Sequence, residues 1–165
     1  ALAQRIDAGS LSYLFVLIGW EPDDNTIAWA DSLLSQYPDC IAVLATHDYM
    51  TSAANLSDEG TILYQKLVLP HANVRLVLCG HKSGSCRNIA AIDDNGDGTA
   101  DRTVYQLLTD YQNEENGGDG FLRLLTVSEA DRTLSVTAYS PWLDQYNCYD
   151  ASLDTYTLDI SDWFR

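Results

Sequence analysis

The chain has 165 residues, with 9 lysines and arginines against 24 aspartates and glutamates, a formal charge of −15. That length suits one domain over residues 1–165 with a core of its own, and a hydrophobic content of 46 % argues against wholesale disorder. The acidity opposes nucleic-acid phosphates and anionic membrane surfaces alike, and apolar runs such as Leu14 to Ile18 are far too short to cross a bilayer.

Leu11 to Gly19 (LSYLFVLIG) is expected to be the first strand. Nearly every position is apolar, the pattern of a strand covered on both faces in an α/β layer. Pro22, Asp23 and Asp24 supply helix-start chemistry, with carboxylates at the positive end of the helix dipole. Ile27, Ala30, Leu33, Leu34 and Tyr37 follow at helical spacing, and Pro38 ends the helix. Cys40 to Ala45 is a second buried strand, closing on Thr46-His47. Ser57 and Asp58 open another helix, with Ile62, Leu63, Leu67 and Val68 inward, and Pro70 stops it. Val74 to Cys79 is a third strand, closing on Gly80-His81. His71, in the turn before it, is expected at the surface.

After Gly84 the texture changes. Arg87 to Ile92, Arg102 to Thr109, Phe121 to Val127 and Thr133 to Tyr139 read as strands. Turns rich in Asn, Gly and Asp separate them at 94–98, 116–120 and 129–131. The expected fold class is therefore α/β: a buried mixed sheet with two helices, followed by an antiparallel β meander. The tail after Pro141 is expected to be mostly irregular, with a short strand over Thr155 to Leu158. Its aromatics (Trp142, Tyr146, Tyr149, Tyr156 and Trp163) lack the regular spacing of a sugar-binding platform and point to packing. The chain opens without Met, and Ala1 to Asp7 lacks the basic-then-apolar pattern of a leader, as expected of a portion of a longer gene product.

Cys40 and Cys79 sit in apolar runs, where cysteines behave as small buried hydrophobes. Cys86 and Cys148 lie in polar sequence, where a disulfide can form if the protein is exported, although sequence does not decide pairing. The absence of a CxxC spacing argues against a zinc knuckle or thioredoxin-type site.

His47 and His81 each follow directly on a buried strand. Ligands gather outside the carboxyl ends of parallel strands, so two histidines placed there by successive strands are well sited to share one pocket. Neutral imidazole is the commonest metal ligand among side chains. Asp48 is open to two roles, a partner of His47 or a helix-start carboxylate.

These residues, with Thr46-His47-Asp48 after one apolar strand and Gly80-His81 after the next, resemble the back half of the calcineurin-like metallophosphoesterases. Trp20-Glu21-Pro22, Ala28-Trp29-Ala30-Asp31, Tyr111-Gln112, Gly118-Asp119-Gly120 and Tyr139-Ser140-Pro141 resemble a bacterial, mostly secreted or wall-associated branch, so the likeness runs from about Tyr13 to Pro141. The resemblance implies part of a two-layered sandwich and an extracellular or cell-wall location. It also implies two divalent metals that activate water and neutralise charge on a phosphate ester. His47 and His81 would serve the same metal. Two departures stand out: Ser83 occupies the place of a second histidine in Gly-His-x-His, and the family's earlier Asp-x-His, Gly-Asp-x-x-Asp and Gly-Asn-His motifs are missing. No catalytic residue is thus expected within this chain alone. Either the remaining ligands would lie upstream in a parent enzyme, the favoured explanation, or the chain would be a degenerate relative that keeps the fold without the chemistry. In the first case the missing half would leave an apolar surface open to self-association.

A separate candidate is Asp93-x-Asn95-x-Asp97-Gly98-x-x-Asp101, which matches the start of an EF-hand calcium loop. Val104 stands where that loop has its bidentate Glu, and helices do not flank it, so an acidic hairpin turn competes with a Ca2+ site. The alternative function is accordingly a non-catalytic extracellular module, stabilised by calcium.

Overall fold

The computed structural model describes residues 1–164. It is built on a six-stranded mixed sheet of β1 (Leu2–Ala8), β2 (Leu11–Gly19), β3 (Ile41–Thr46), β4 (Val74–Cys79), β5 (Gly84–Ile92) and β6 (Arg102–Asp110). Their order across the sheet is β1-β2-β3-β4-β6-β5. The four inner strands run parallel, and the outer β1 and β5 pair antiparallel to their neighbours. A second, antiparallel sheet holds β7 (Leu122–Ser128), β8 (Thr133–Ser140), β9 (Gln145–Tyr146) and β10 (Thr155–Asp159).

Alternation along the inner strands decides the layering. Leu14, Val16, Ile18, Ala42 and Leu44 face α1 (Asp24–Gln36) and α2 (Asp58–Leu63, continued by a wide π turn over Tyr64–Val68). From the other face, Ile41, Val43, Leu76, Tyr105 and Leu107 pack against Leu134, Val136, Leu158 and Trp163 of the second sheet and its tail. The inner strands are therefore covered on both faces, as their apolar runs require. Both helices are capped as their sequences dictate: Asp23 accepts from the Thr26 amide at 2.8 Å, and Ser57 from the Gly60 amide at 3.0 Å.

Three expectations need correction. The meander is divided: β5 and β6 join the large sheet, and only β7 onward forms a separate one. Val104, Tyr105, Leu107 and Leu108 are buried, so β6 is an inner strand that pairs in parallel with β4. β1 was not expected; it is an exposed edge strand of mixed composition, joined to β2 by a tight turn at Gly9-Ser10. His71 is buried, 9 % exposed, because its Nε2 lies 2.8 Å from Asp31 Oδ1 on α1.

The cysteines are all free. Cys86 lies within β5, and its thiol donates to the Thr51 carbonyl at 3.4 Å. The expected packing of tail aromatics holds for buried Trp163 and half-buried Tyr149 and Tyr156, whereas Trp142 and Tyr146 are 80 % and 64 % exposed. Trp142 follows the end of β8, outside both cores.

One polar cluster fastens the tail to both sheets. Arg123 of β7 donates to Asp154 Oδ1 at 2.8 Å, the Tyr111 hydroxyl at 3.0 Å, the Tyr156 hydroxyl at 3.1 Å and Ser85 Oγ of β5. Asp154, fully buried, also accepts from the Tyr149 amide at 2.7 Å. Removing one partner of a buried pair strands the other charge away from water, at a cost of about 3–5 kcal/mol. Arg123→Ala is expected to lower unfolding free energy in urea by that amount. Arg123→Lys, lacking the planar fork, should recover only part of it, and an unchanged urea midpoint for Arg123→Ala would contradict the assignment.

Candidate functional site

The parallel strands β2, β3 and β4 end at one edge of the sheet, and the residues just past their ends meet there. The His47 amide donates to the Gly19 carbonyl at 3.2 Å, and the Gly80 amide to the His47 carbonyl at 3.0 Å. Three strand ends are thus tied by their own backbone. His81 has a left-handed backbone, φ 66°, which turns it back after β4. The result is a triangle of rings: His47 and His81 have centroids 4.7 Å apart, and Trp20 lies 5.2 Å from each.

A metal–nitrogen bond is about 2.0–2.1 Å, so an imidazole centre stands about 3 Å from an ion it ligates. Centres 4.7 Å apart are compatible with two rings on one ion. Among the described residues, no group of three or more His, Cys, Asp or Glu side chains could hold a metal ion. The two imidazoles are thus the donors that this edge brings together.

The surrounding groups are held in place rather than free. Asp48 lies well before the start of α2, so it is not a helix-start carboxylate. Its Oδ2 sits 3.8 Å from Lys82 Nζ, and its Oδ1 is buried without a hydrogen-bond partner. The Asp48–Lys82 contact therefore links the two histidine-bearing loops. Ser83 is engaged by the Asn113 side-chain amide at 2.6 Å. Glu59 accepts from the Glu21 amide at 2.9 Å and lies 3.3 Å from the Thr46 hydroxyl. Burial raises the Glu59 carboxyl above its ordinary range. Gly60 lets α2 approach this closely, since a Cβ there would fall 1.9 Å from the Tyr49 carbonyl oxygen. Cys79 is no nucleophile: burial pushes its thiol up to about 12.

The histidines open on a cavity of about 580 Å³, whose lining includes Thr109, Tyr111, Gly118 and Arg123. Part of its wall is unusual: Asn116, Gly117, Gly118, Asp119 and Gly120 all have positive φ, a left-handed run. Gly118 is required there, because a Cβ would stand 2.7 Å from the Tyr111 carbonyl oxygen. The sequence marks this stretch only as a turn.

Trp20 is the member of the triangle that sequence reasoning left out of the site. The signal was the position rule applied to the histidines, since Trp20 follows the end of β2 as His47 and His81 follow β3 and β4.

The acidic loop lies elsewhere, between β5 and β6. Asp93 accepts from the amides of Gly96 at 2.6 Å, Asp97 at 3.2 Å and Gly98 at 2.7 Å, and Asp101 accepts from those of Asp94 and Asn95. Its base is anchored by Arg102, which donates to both Asp94 oxygens and to the carbonyls of Val68, Leu69 and Val74. The side chains that would offer oxygens to a cation thus already hold the turn together.

No family model matches the chain. Over 151 residues it is 39 % identical to an uncharacterized protein of Bacillus subtilis (strain 168), YvnB. That match takes in 92 % of this chain and 12 % of the relative, so the chain spans a small part of the relative's length.

Hydrogen bonding from backbone amides, the Gly98 amide foremost, holds the Asp93 carboxyl below its ordinary value. Its stabilising effect is present above the unfolded value of about 3.9 and is lost as pH falls through the lower, folded one. The Gly96 and Gly98 amide resonances are expected to titrate with a midpoint below about 3.9, and Asp93→Asn should abolish that step. A midpoint at the ordinary carboxyl value would show that these hydrogen bonds do not form in solution.

Proposed function

We propose that the chain is the C-terminal portion of a metal-dependent phosphoesterase, with His47 and His81 as ligands of one ion in a two-metal centre. The observation that carries this reading is the 4.7 Å approach of two imidazoles at the carboxyl ends of adjacent parallel strands. Divalent ions, when bound, supply a nucleophile from water and neutralise phosphoryl charge. This chain's part is to hold two nitrogen donors at a fixed spacing and to wall the adjoining cavity, where a phosphate ester would sit.

The state of the second sheet supports an upstream half. Among the described residues β7 is an edge strand whose outer side is unpaired, and Leu122, Leu124 and Leu125 on it are exposed. Beside it, between the sheets, lies an apolar hollow of about 330 Å³ whose lining includes Tyr13, Phe15, Leu125, Val127 and Trp163. A sandwich left open along one side leaves such a surface exposed, and in isolation this half would bury it by self-association. The short share of the relative that the chain spans agrees with this. An extracellular or wall-associated setting belongs to the same proposal.

A non-catalytic, calcium-stabilised module is the competing reading, and the Asp93–Asp101 loop is the feature it rests on. Two measurements separate the readings. In the longer protein, His47→Ala or His81→Ala is expected to cut metal-dependent hydrolysis of a chromogenic phosphate monoester by more than about 100-fold, beyond the loss of an outer partner. The 165-residue chain alone should show no turnover. Undiminished hydrolysis in both variants would overturn the phosphoesterase reading. A rise in melting temperature with Ca2+ that Asp97→Ala removes would favour the module.

A further inference from the structure

The geometry points to Trp20 as the positioning residue of the histidine pair, an aromatic brace that holds both imidazoles ready for one divalent cation. This rests on the reading of His47 and His81 as ligands of a common ion.

Burial does not explain where Trp20 sits, for the residue is 57 % exposed. Its backbone explains it. Gly19 and Glu21, the residues on either side, both have positive φ, 93° and 46°. For glutamate that conformation carries strain, and strained residues persist only where their surroundings hold them. Here the hold is explicit. The Gly19 carbonyl accepts from the Thr46 hydroxyl at 2.7 Å and from the His47 amide at 3.2 Å, and the Glu21 amide donates to Glu59 Oε2 at 2.9 Å. Four segments, the ends of β2, β3 and β4 and the first turn of α2, therefore fix one exposed indole against two imidazoles.

The chemistry of the indole suits that position. It lies 5.2 Å from each imidazole, tilted 50° to His47 and 38° to His81, and so limits how far either ring can swing. Ordering of the ligand rings before a cation arrives removes part of the entropy lost on binding. With a dication bound, the imidazoles would carry part of its charge, and their centres lie within the roughly 6 Å over which an indole attracts cations. Phenylalanine would keep a ring and part of that face; leucine would fill space without it.

The test uses the longer protein, which supplies the remaining ligands, and cobalt(II) alone, with affinity measured by competition against a chromogenic chelator and geometry by the visible absorption of bound cobalt. Wild-type protein is expected to bind cobalt in a manner lost on His47→Ala and on His81→Ala. Trp20→Ala and Trp20→Leu should weaken binding by about 10-fold or more, the range seen when partners that orient metal ligands are removed, and should change the cobalt spectrum. Trp20→Phe should restore affinity to within about 3-fold of wild type, as expected if a ring is what the position requires. Melting temperatures of these variants should match wild type, since the residue is largely exposed. Wild-type affinity and spectrum in Trp20→Leu would overturn the inference while leaving the histidine pair in place. Cobalt binding that ignores both histidines, or none at all, would overturn the histidine reading and this inference with it.

Discussion

Parallel pairing of β2 with β3 and of β3 with β4 brings three carboxyl ends to one edge of the sheet, and the rest of the structure follows from that alignment. The strands can pair in this way because each is apolar on both faces, and the helices and the second sheet bury both. A parallel arrangement requires crossovers, and α1 and α2 supply them on one side. The residues that leave the strand ends then have no choice of neighbours. Trp20, His47 and His81 meet because Gly19, Thr46 and Cys79 end strands that lie side by side.

Around that edge, the fold spends polar groups on fixing loops. Glu59 bridges the loop after β2 to Thr46, Asp48 reaches Lys82, and the His47 carbonyl holds Gly80. Each of these contacts joins segments that are distant in sequence. At the opposite side of the cavity, Arg123 and buried Asp154 draw the tail onto β5 and β7. The site edge ties the loops of the large sheet to one another, whereas the Arg123 cluster joins the two sheets, and among the described residues β7 leaves one side of the sandwich unpaired. An open, apolar strand edge is a liability in an isolated domain.

Much of the front half was legible because its signals are local. Apolar runs bounded by Pro and Gly marked β2, β3 and β4 within a residue or two, and Asp23 and Ser57 cap helices where helix-start chemistry indicated. His47 and His81 were placed together from their common position after successive strands. The back half was less legible. β6 carries the same apolar texture as a meander strand, and nothing within it says that β4 will be its neighbour. β1 has an exposed, mixed pattern whose partner alone makes it a strand. His71 was misplaced because its partner, Asp31, is 40 residues away on α1.

The sequence by itself determined which segments are strands buried on both faces, where the helices begin and that two imidazoles follow two strand ends. Periodicity, caps and turn residues act over a few residues, so one chain segment is enough to read them. Tertiary structure alone decided that β5 and β6 enlarge the first sheet, that Arg123 finds Asp154, and that an exposed tryptophan leans on both histidines. Those outcomes depend on pairings between strands far apart in the chain and on backbone turns at Gly19, Glu21 and His81, whose energies exist only once the sheet has formed.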